Sequence, residues 1–302
     1  MKMILRIVIL SLMNPNGGNY NMSGKLFVID GTDGSGKNTQ AKRLLENLIL
    51  NYNLEDKKDI CMVSFPRYGT AGCTMVEKYL HGEFGKNVKD IDPYTASMFY
   101  SIDRSISFLN DEWGSIYRNG GIVIADRYYT ANLIHQGAKL IMDHPGDDKV
   151  DGYYGNTIED KLRQFETWLI DNELTKMKLP MPDKIFWLMS NKEANEAMID
   201  HRAHTDSNHI TDIHESNLEY LDYCRMALKS HKEAYEARLQ RKMNTYGQLD
   251  AYTEIVRREE FIDVFNTDTN SIRTITDIEN ELLGYVVKYF AVKGRFPKLP
   301  NT

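Results

Sequence analysis

Residues 25–39 read Lys-Leu-Phe-Val-Ile-Asp and then Gly-Thr-Asp-Gly-Ser-Gly-Lys-Asn-Thr. A short apolar run enters G-x-x-x-x-G-K, and an amphipathic helical pattern follows. This order predicts a strand, a tight loop and a helix that together cradle the phosphates of a nucleotide. Gly31, Gly34 and Gly36 let the backbone fold closely around an anion, with Ser35 among them. The N–H groups that open the helix at Lys37 would point at negative charge. Lys37 adds a cation that reaches the outer phosphates. An ordinary glycine-rich turn is the plainer reading, and the strand before and helix after argue against it. The residue after the lysine is usually Ser or Thr, whose hydroxyl binds magnesium. Here it is Asn38, followed by Thr39. An amide oxygen can ligate magnesium, or the metal is held elsewhere through water.

Further apolar, β-rich runs occur at Ile60–Val63, Ile122–Ala125, Ile185–Met189 and Phe261–Val264, with Leu26–Ile29 the first of the set. Helical patterns fill the gaps. Short strands separated by helices predict an α/β fold, a parallel sheet with helices on both faces. In such sheets ligands bind outside the carboxyl ends of the strands. Gly31, the stretch Ser64-Phe65-Pro66-Arg67 and the pair Asp126-Arg127 each follow a strand directly. Three polar sites distant in sequence thus converge on one edge.

The chain has 302 residues and a net charge of −6, with no long basic block. Nucleic acid as the main partner is therefore not expected. Its three cysteines, Cys61, Cys73 and Cys224, show no paired metal spacing and fit a reducing cytoplasm. Ile4–Met13 is apolar but too short to span a bilayer, and Asn14–Asn19 brings no small-residue cleavage pattern. Residues 1–22 are read as an N-terminal extension, disordered, with Met22 just before the first strand. Residues 23–292 are read as a single domain and 293–302 as a tail. Segments 143–160 and 240–258 read as insertions. Residues 201–214 are polar, carry four histidines and suit a lid over the phosphate site.

At this point the residues resemble a family. Gly31–Thr39, Ser64-Phe65-Pro66-Arg67-Tyr68, Asp126-Arg127-Tyr128, Pro182-Asp183 and Asp212-Ile213-His214-Glu215 are similar, in this order, to the motifs of the thymidylate kinases. The resemblance covers roughly residues 24–290. It implies a P-loop NTPase-type five-stranded parallel sheet flanked by helices, with a lid segment, in a cytoplasmic homodimer. It implies phosphoryl transfer from ATP to dTMP with magnesium. Such transfer asks the protein for positioning and charge stabilisation more than covalent chemistry.

The resemblance also implies roles residue by residue. Lys37 bridges the ATP phosphates, and Asp33 sits near the acceptor sugar and the metal, though a turn-capping carboxylate is its plainer reading. Arg67 and Arg127 hold the acceptor phosphate, since a guanidinium fork matches phosphate oxygens. Asp126 positions magnesium through water or orients Arg127. Tyr100 and Arg104 share a helix face. Tyr100 stacks on the base and Arg104 donates to a pyrimidine carbonyl, while Phe65 walls the pocket beside Tyr68. Asn132 reads the base edge. His135 stands where the family often has a tyrosine against the deoxyribose, so it should leave room beside C2′ and weaken rejection of ribonucleotides. Arg202 is the lid's candidate for transition-state charge, and Glu215 is a lid-end acid near the metal or sugar or, equally, a helix-start carboxylate. Two other readings stay open: a kinase of another nucleotide or of a deoxynucleoside, and a nucleotide-binding protein without turnover.

Overall fold

A computed structural model describes residues 24–143, 157–205, 213–214, 217–243, 258–266, 269 and 271–292. Strand β1 (Lys25–Gly31) leads through the phosphate loop into helix α1 (Lys37–Tyr52). Then come β2 (Ile60–Ser64), a 3-10 turn at Ala71–Cys73, α2 (Thr74–Leu80), α3 (Pro93–Asn110), α4 (Glu112–Arg118) and β3 (Ile122–Asp126). Next are α5 (Ala131–Met142) and α6 (Ile158–Ile170), which widens into a π-helical turn at Asp171–Lys176. The rest is β4 (Lys184–Met189), α7 (Lys192–Thr205), α8 (Leu218–Met243), β5 (Glu259–Asp263), a hairpin of β6 (Phe265–Asn266) and β7 (Ser271–Ile272), and α9 (Ile275–Val292).

The five longer strands form one parallel sheet in the order β2-β3-β1-β4-β5. Parallel strands are covered on both faces, which explains their near-continuous apolar runs. Along β1, Leu26 and Val28 join one core with Trp113, Phe165, Trp187 and Tyr220. Phe27 and Ile29 join the opposite core with Leu44, Leu48, Leu282 and Val286. Each such side chain contributes about 1.5–3 kcal/mol on burial, so this alternation fixes which face every helix covers.

Helix starts follow local chemistry. Asp92 caps α3, its Oδ1 accepting from the N–H groups of Tyr94 and Thr95 at 3.0 Å, with Pro93 in the first turn. Thr157 caps α6 by accepting from the Asp160 N–H. The sheet order makes β1 the point where connections turn from one side to the other, and in such sheets ligands bind beyond the carboxyl ends of the strands at that point.

All five predicted strands form, each within a few residues of its expected span. The lid expectation is altered: residues 201–205 continue helix α7 instead of opening a loop, and 206–212 lie outside the described residues. Of the expected insertions, 158–160 begin α6 and 240–243 extend α8; 144–156 and 244–257 lie outside the described residues. So do residues 1–22, 293–302 and Glu215.

Candidate active site

The phosphate loop closes on itself through its own lysine. Lys37 Nζ donates to the Thr32 carbonyl at 2.7 Å and lies 3.9 Å from Asp33 Oδ1. Gly36 takes φ 85° immediately before α1, and Gly34 takes φ 77° where a Cβ would stand 2.6 Å from the Asn195 carbonyl. Both positions favour glycine, one for backbone hand and the other for hand and space. Asn195, in the first turn of α7, clasps the loop from outside: its Nδ2 donates to Thr32 Oγ1 at 3.0 Å and to the Asp33 carbonyl. Burial pushes Lys37 down to about 8, helped by the nearby Arg127 charge, against the pull of Asp33, Asp126 and Asp30.

The end of β3 delivers the second half of the site. Arg127 has φ 67°, a left-handed conformation costly for a residue with a Cβ, and its N–H donates to the Ile29 carbonyl at 3.0 Å. Strain of this kind gathers where the surrounding structure holds a residue for a purpose. Arg127 Nη2 donates to Asp33 Oδ1. Burial alone would raise the Asp33 carboxyl, but the Arg127 and Lys37 charges outweigh it and hold it well below the usual range. Asp30, at the end of β1, accepts from Thr130 Oγ1 at 2.6 Å and from the Gly31 N–H at 2.9 Å, and burial still raises it.

Arg127 Nη1 also donates to His135 Nε2 at 3.1 Å. That assigns the histidine's proton to Nδ1 and leaves the ring neutral, in keeping with burial and the neighbouring cations, which bring it to about 4 against the pull of Asp33. One face of the His135 ring is covered by a second imidazole. His214 stacks on it with ring centroids 5.5 Å apart and planes 11° apart, and His214 Nε2 lies 2.9 Å from the Tyr79 hydroxyl.

The remaining predicted residues divide. Asn38 Nδ2 donates to Asp126 Oδ2 at 2.9 Å, which joins the departure in the phosphate loop directly to the acid of β3. The Arg67 N–H donates to Asp103 Oδ2 at 2.9 Å and its guanidinium pairs with Asp111 at 2.7 Å. Phe65 packs in the core against Trp113 and Tyr128. Tyr68 is 60% exposed, and Tyr100 stands edge-on to Tyr79. Arg104 is buried and paired with Glu173. Asn132 is buried with Nδ2 lacking any hydrogen-bond partner among the described residues. Arg202 falls in the helical stretch of α7.

Against known proteins, residues 29–145 match the family model described as thymidylate kinase. Over that span, a little more than a third of the chain, the sequence is similar to the thymidylate kinases. It is 28% identical over 185 residues to a thymidylate kinase of Exiguobacterium sp., covering 61% of this chain and 72% of that one. It is 30% identical over 130 residues to a probable thymidylate kinase 1 of Saccharolobus solfataricus, covering 43% and 59%. The solved thymidylate kinase of Candida albicans shares the fold, with a TM-score of 0.52 and 16% identity over 93% of this chain and 96% of that one.

Three residues that support this thymidylate-kinase-like site escaped the sequence reading. Asp30 stands near the end of an apolar strand, and nothing in its sequence position signals that it is buried. Asn195 lies far from the loop in sequence, and only the parallel register of β1 with β4 brings it near. Gln136 is fully buried on α5, four residues after Asn132 on the same face, with both amide atoms unpartnered among the described residues. An isolated glutamine in a helix carries no signal; two buried, unsatisfied amides one turn apart do, because such groups are costly unless a ligand completes them.

Proposed function

We propose that this chain transfers the terminal phosphoryl group of ATP to dTMP, giving dTDP and ADP. The observation that carries the reading is the convergence of Lys37 and Arg127 on Asp33. Two cations from different strand ends stand on one carboxylate at the mouth of an anion cradle. Without phosphates, Asp33 holds both in place. When phosphates arrive, Lys37 turns from the Thr32 carbonyl to the donor's outer oxygens, and the Arg127 fork takes the acceptor phosphate. Mutual repulsion of the two phosphates is neutralised and the reacting atoms are aligned, which is most of what this chemistry requires.

The acceptor base is placed between α3 and α5, where Tyr100 offers a ring and Asn132, Gln136 and Arg104 offer polar atoms. The adenosine is placed in an open cleft of about 400 Å³ lined by Ser271, Ile272, Arg273, Asp277 and Asn280. Gln40 Nε2 ties this region to the phosphate-loop helix through the Ile275 carbonyl at 3.0 Å. Magnesium suits the Asp126 carboxylate beside the loop, a hard oxygen donor whose Oδ2 is held by the Asn38 amide N–H. When bound, it would neutralise phosphate charge. Arg202 and Glu215 are proposed to act from the lid.

A coupled ADP-release assay across dTMP, dUMP, UMP, dGMP and thymidine tests the function, beside calorimetric binding of ATP and dTMP. Preference for thymidine would place the chain with nucleoside kinases; binding of both nucleotides without ADP release would leave it a non-catalytic binder. The pH dependence follows from Lys37. The lysine acts only when charged, and its free-enzyme value is about 8. The kcat/KM for ATP should therefore be flat at neutral pH and fall about tenfold per unit well above pH 8. In the ATP complex the phosphates restore the lysine's proton affinity, so kcat should hold to higher pH. A kcat/KM flat to pH 10 would show that Lys37 does not act as a cation on ATP.

A homodimer is proposed through the outer face of α3. Ile102, Ile106 and Leu109 form an exposed apolar stripe at helical spacing, and Met75 is exposed on neighbouring α2. Paired Ile106→Glu and Leu109→Glu substitutions should bring the sedimentation coefficient to that of a monomer. An unchanged coefficient would exclude this face.

A further inference from the structure

We propose that Glu173, on the π-helical turn after α6, is a positioning residue that sets the angle at which Arg104 meets the acceptor base. The proposal rests on the reading of dTMP as acceptor. Glu173 is fully buried and grips the guanidinium as a fork: Arg104 Nε donates to Oε2 and Nη2 to Oε1, both at 2.6 Å. Ser101 Oγ donates to Oε1 at 2.8 Å and so holds the carboxylate in turn. Two parallel hydrogen bonds fix both the plane and the rotation of a guanidinium. Nη1 lies outside the fork, which fixes its angle, and in this proposal it meets a carbonyl oxygen of the base.

The turn itself explains why a glutamate is available there. A π-helical turn inserts an extra residue and shifts which side chain faces the neighbour, and such turns gather at functional sites. Here the segment reaches α3 at Met98 and closes its own turn at Leu179. Asn172 Nδ2 lies 3.3 Å from Met98 Sδ, and the Glu173 carbonyl accepts from the Leu179 N–H at 3.0 Å. A clamp between helices needs no buried ion pair, because apolar side chains of similar volume serve stability as well or better. A pair kept here serves orientation. The same turn of α3 carries Asp103, which grips the Arg67 backbone, so consecutive residues set both halves of the acceptor site. Glu173 lies beyond residue 145, where the family match ends.

The test is calorimetric binding of dTMP, dCMP and ATP to wild type, Glu173→Gln and Ser101→Ala, with melting temperatures. Glutamine keeps the volume but turns an amide N–H₂ toward the arginine and breaks one arm of the fork. The dTMP dissociation constant should rise about tenfold, with ATP changed less than twofold. The preference for dTMP over dCMP, which offers an amino donor where thymine has a carbonyl acceptor, should shrink by a similar factor. Ser101→Ala should shift both in the same direction by less, and it decides the matter if Glu173→Gln fails to fold. An unchanged dTMP constant in the folded variant overturns the proposal. So does an equal loss for dTMP and ATP, which would mean general loosening. If wild type binds another pyrimidine monophosphate and not dTMP, the choice of acceptor fails, and the same comparison with that nucleotide decides Glu173. If it binds no monophosphate, both fail.

Discussion

Lys37→Ala should lower kcat by about three orders of magnitude while the protein stays folded, as removal of one charge stabiliser from a water-poor site does. The lysine is buried, hydrogen-bonded to the Thr32 carbonyl, and set 3.9 Å from Asp33, where it can swing to phosphate oxygens without leaving the loop. Its contribution to folding has the opposite sign. A base whose folded value, about 8, lies below its ordinary 10.5 costs stability while it is charged. That cost is complete below pH 8, fades between 8 and 10.5, and is absent above. Deleting the charge at pH 7 therefore removes a cost along with the packing of the stem, and the melting temperature should change little. Single-turnover rates and thermal melts on one preparation check both halves. Near wild-type turnover would sink the ATP-site assignment, and a large loss of melting temperature would turn the defect into one of folding.

That contrast between chemistry and packing also governs what the sequence makes legible. The phosphate loop is readable because its requirements are local: glycines at fixed offsets, a lysine, an apolar run before and a helix after. The five strands are readable because a parallel sheet buried on both faces demands continuous apolar runs. The hairpin of β6 and β7 has only two residues per strand, too few for a period to show. Asn195 and Glu173 are invisible for a different reason: each acts on a partner more than 60 positions away, and a single Asn or Glu in a helix is indistinguishable from a solvated one. The motif residues show the same limit from the other side. Phe65 sits in a recognisable run, yet its neighbours Trp113 and Tyr128 make it core. His135 reads as a small substitute for tyrosine until His214 is seen stacked on it. Sequence announces that a residue type is present; the partner that uses it comes from the fold.

Arg127→Ala should lower kcat/KM for dTMP by about 2–5 kcal/mol, roughly 30- to 5,000-fold, as truncating one side of a buried, hydrogen-bonded charge pair does. Thymidine brings no phosphate for the fork to hold, so its kcat/KM, already low, should fall far less, and the ratio of dTMP to thymidine should collapse. Arg127→Lys should recover only part of the loss, since an ammonium cannot make two parallel bonds to a phosphate. The folded state pays as well. With Arg127 present, Asp33 stays ionised well below the usual carboxylate range. A depressed acid contributes stability that is present above its unfolded value near 3.8 and is lost as pH falls through its folded value. Without Arg127 that contribution shrinks, leaving Asp33 buried with Lys37 as its nearest cation at 3.9 Å. The variant should therefore melt lower than wild type at pH 7, and the difference should narrow as the pH falls below 4. Equal losses for dTMP and thymidine would show that Arg127 orders the site without touching the acceptor phosphate. The two-cation reading of Asp33 would then give way to one in which Lys37 alone meets phosphate.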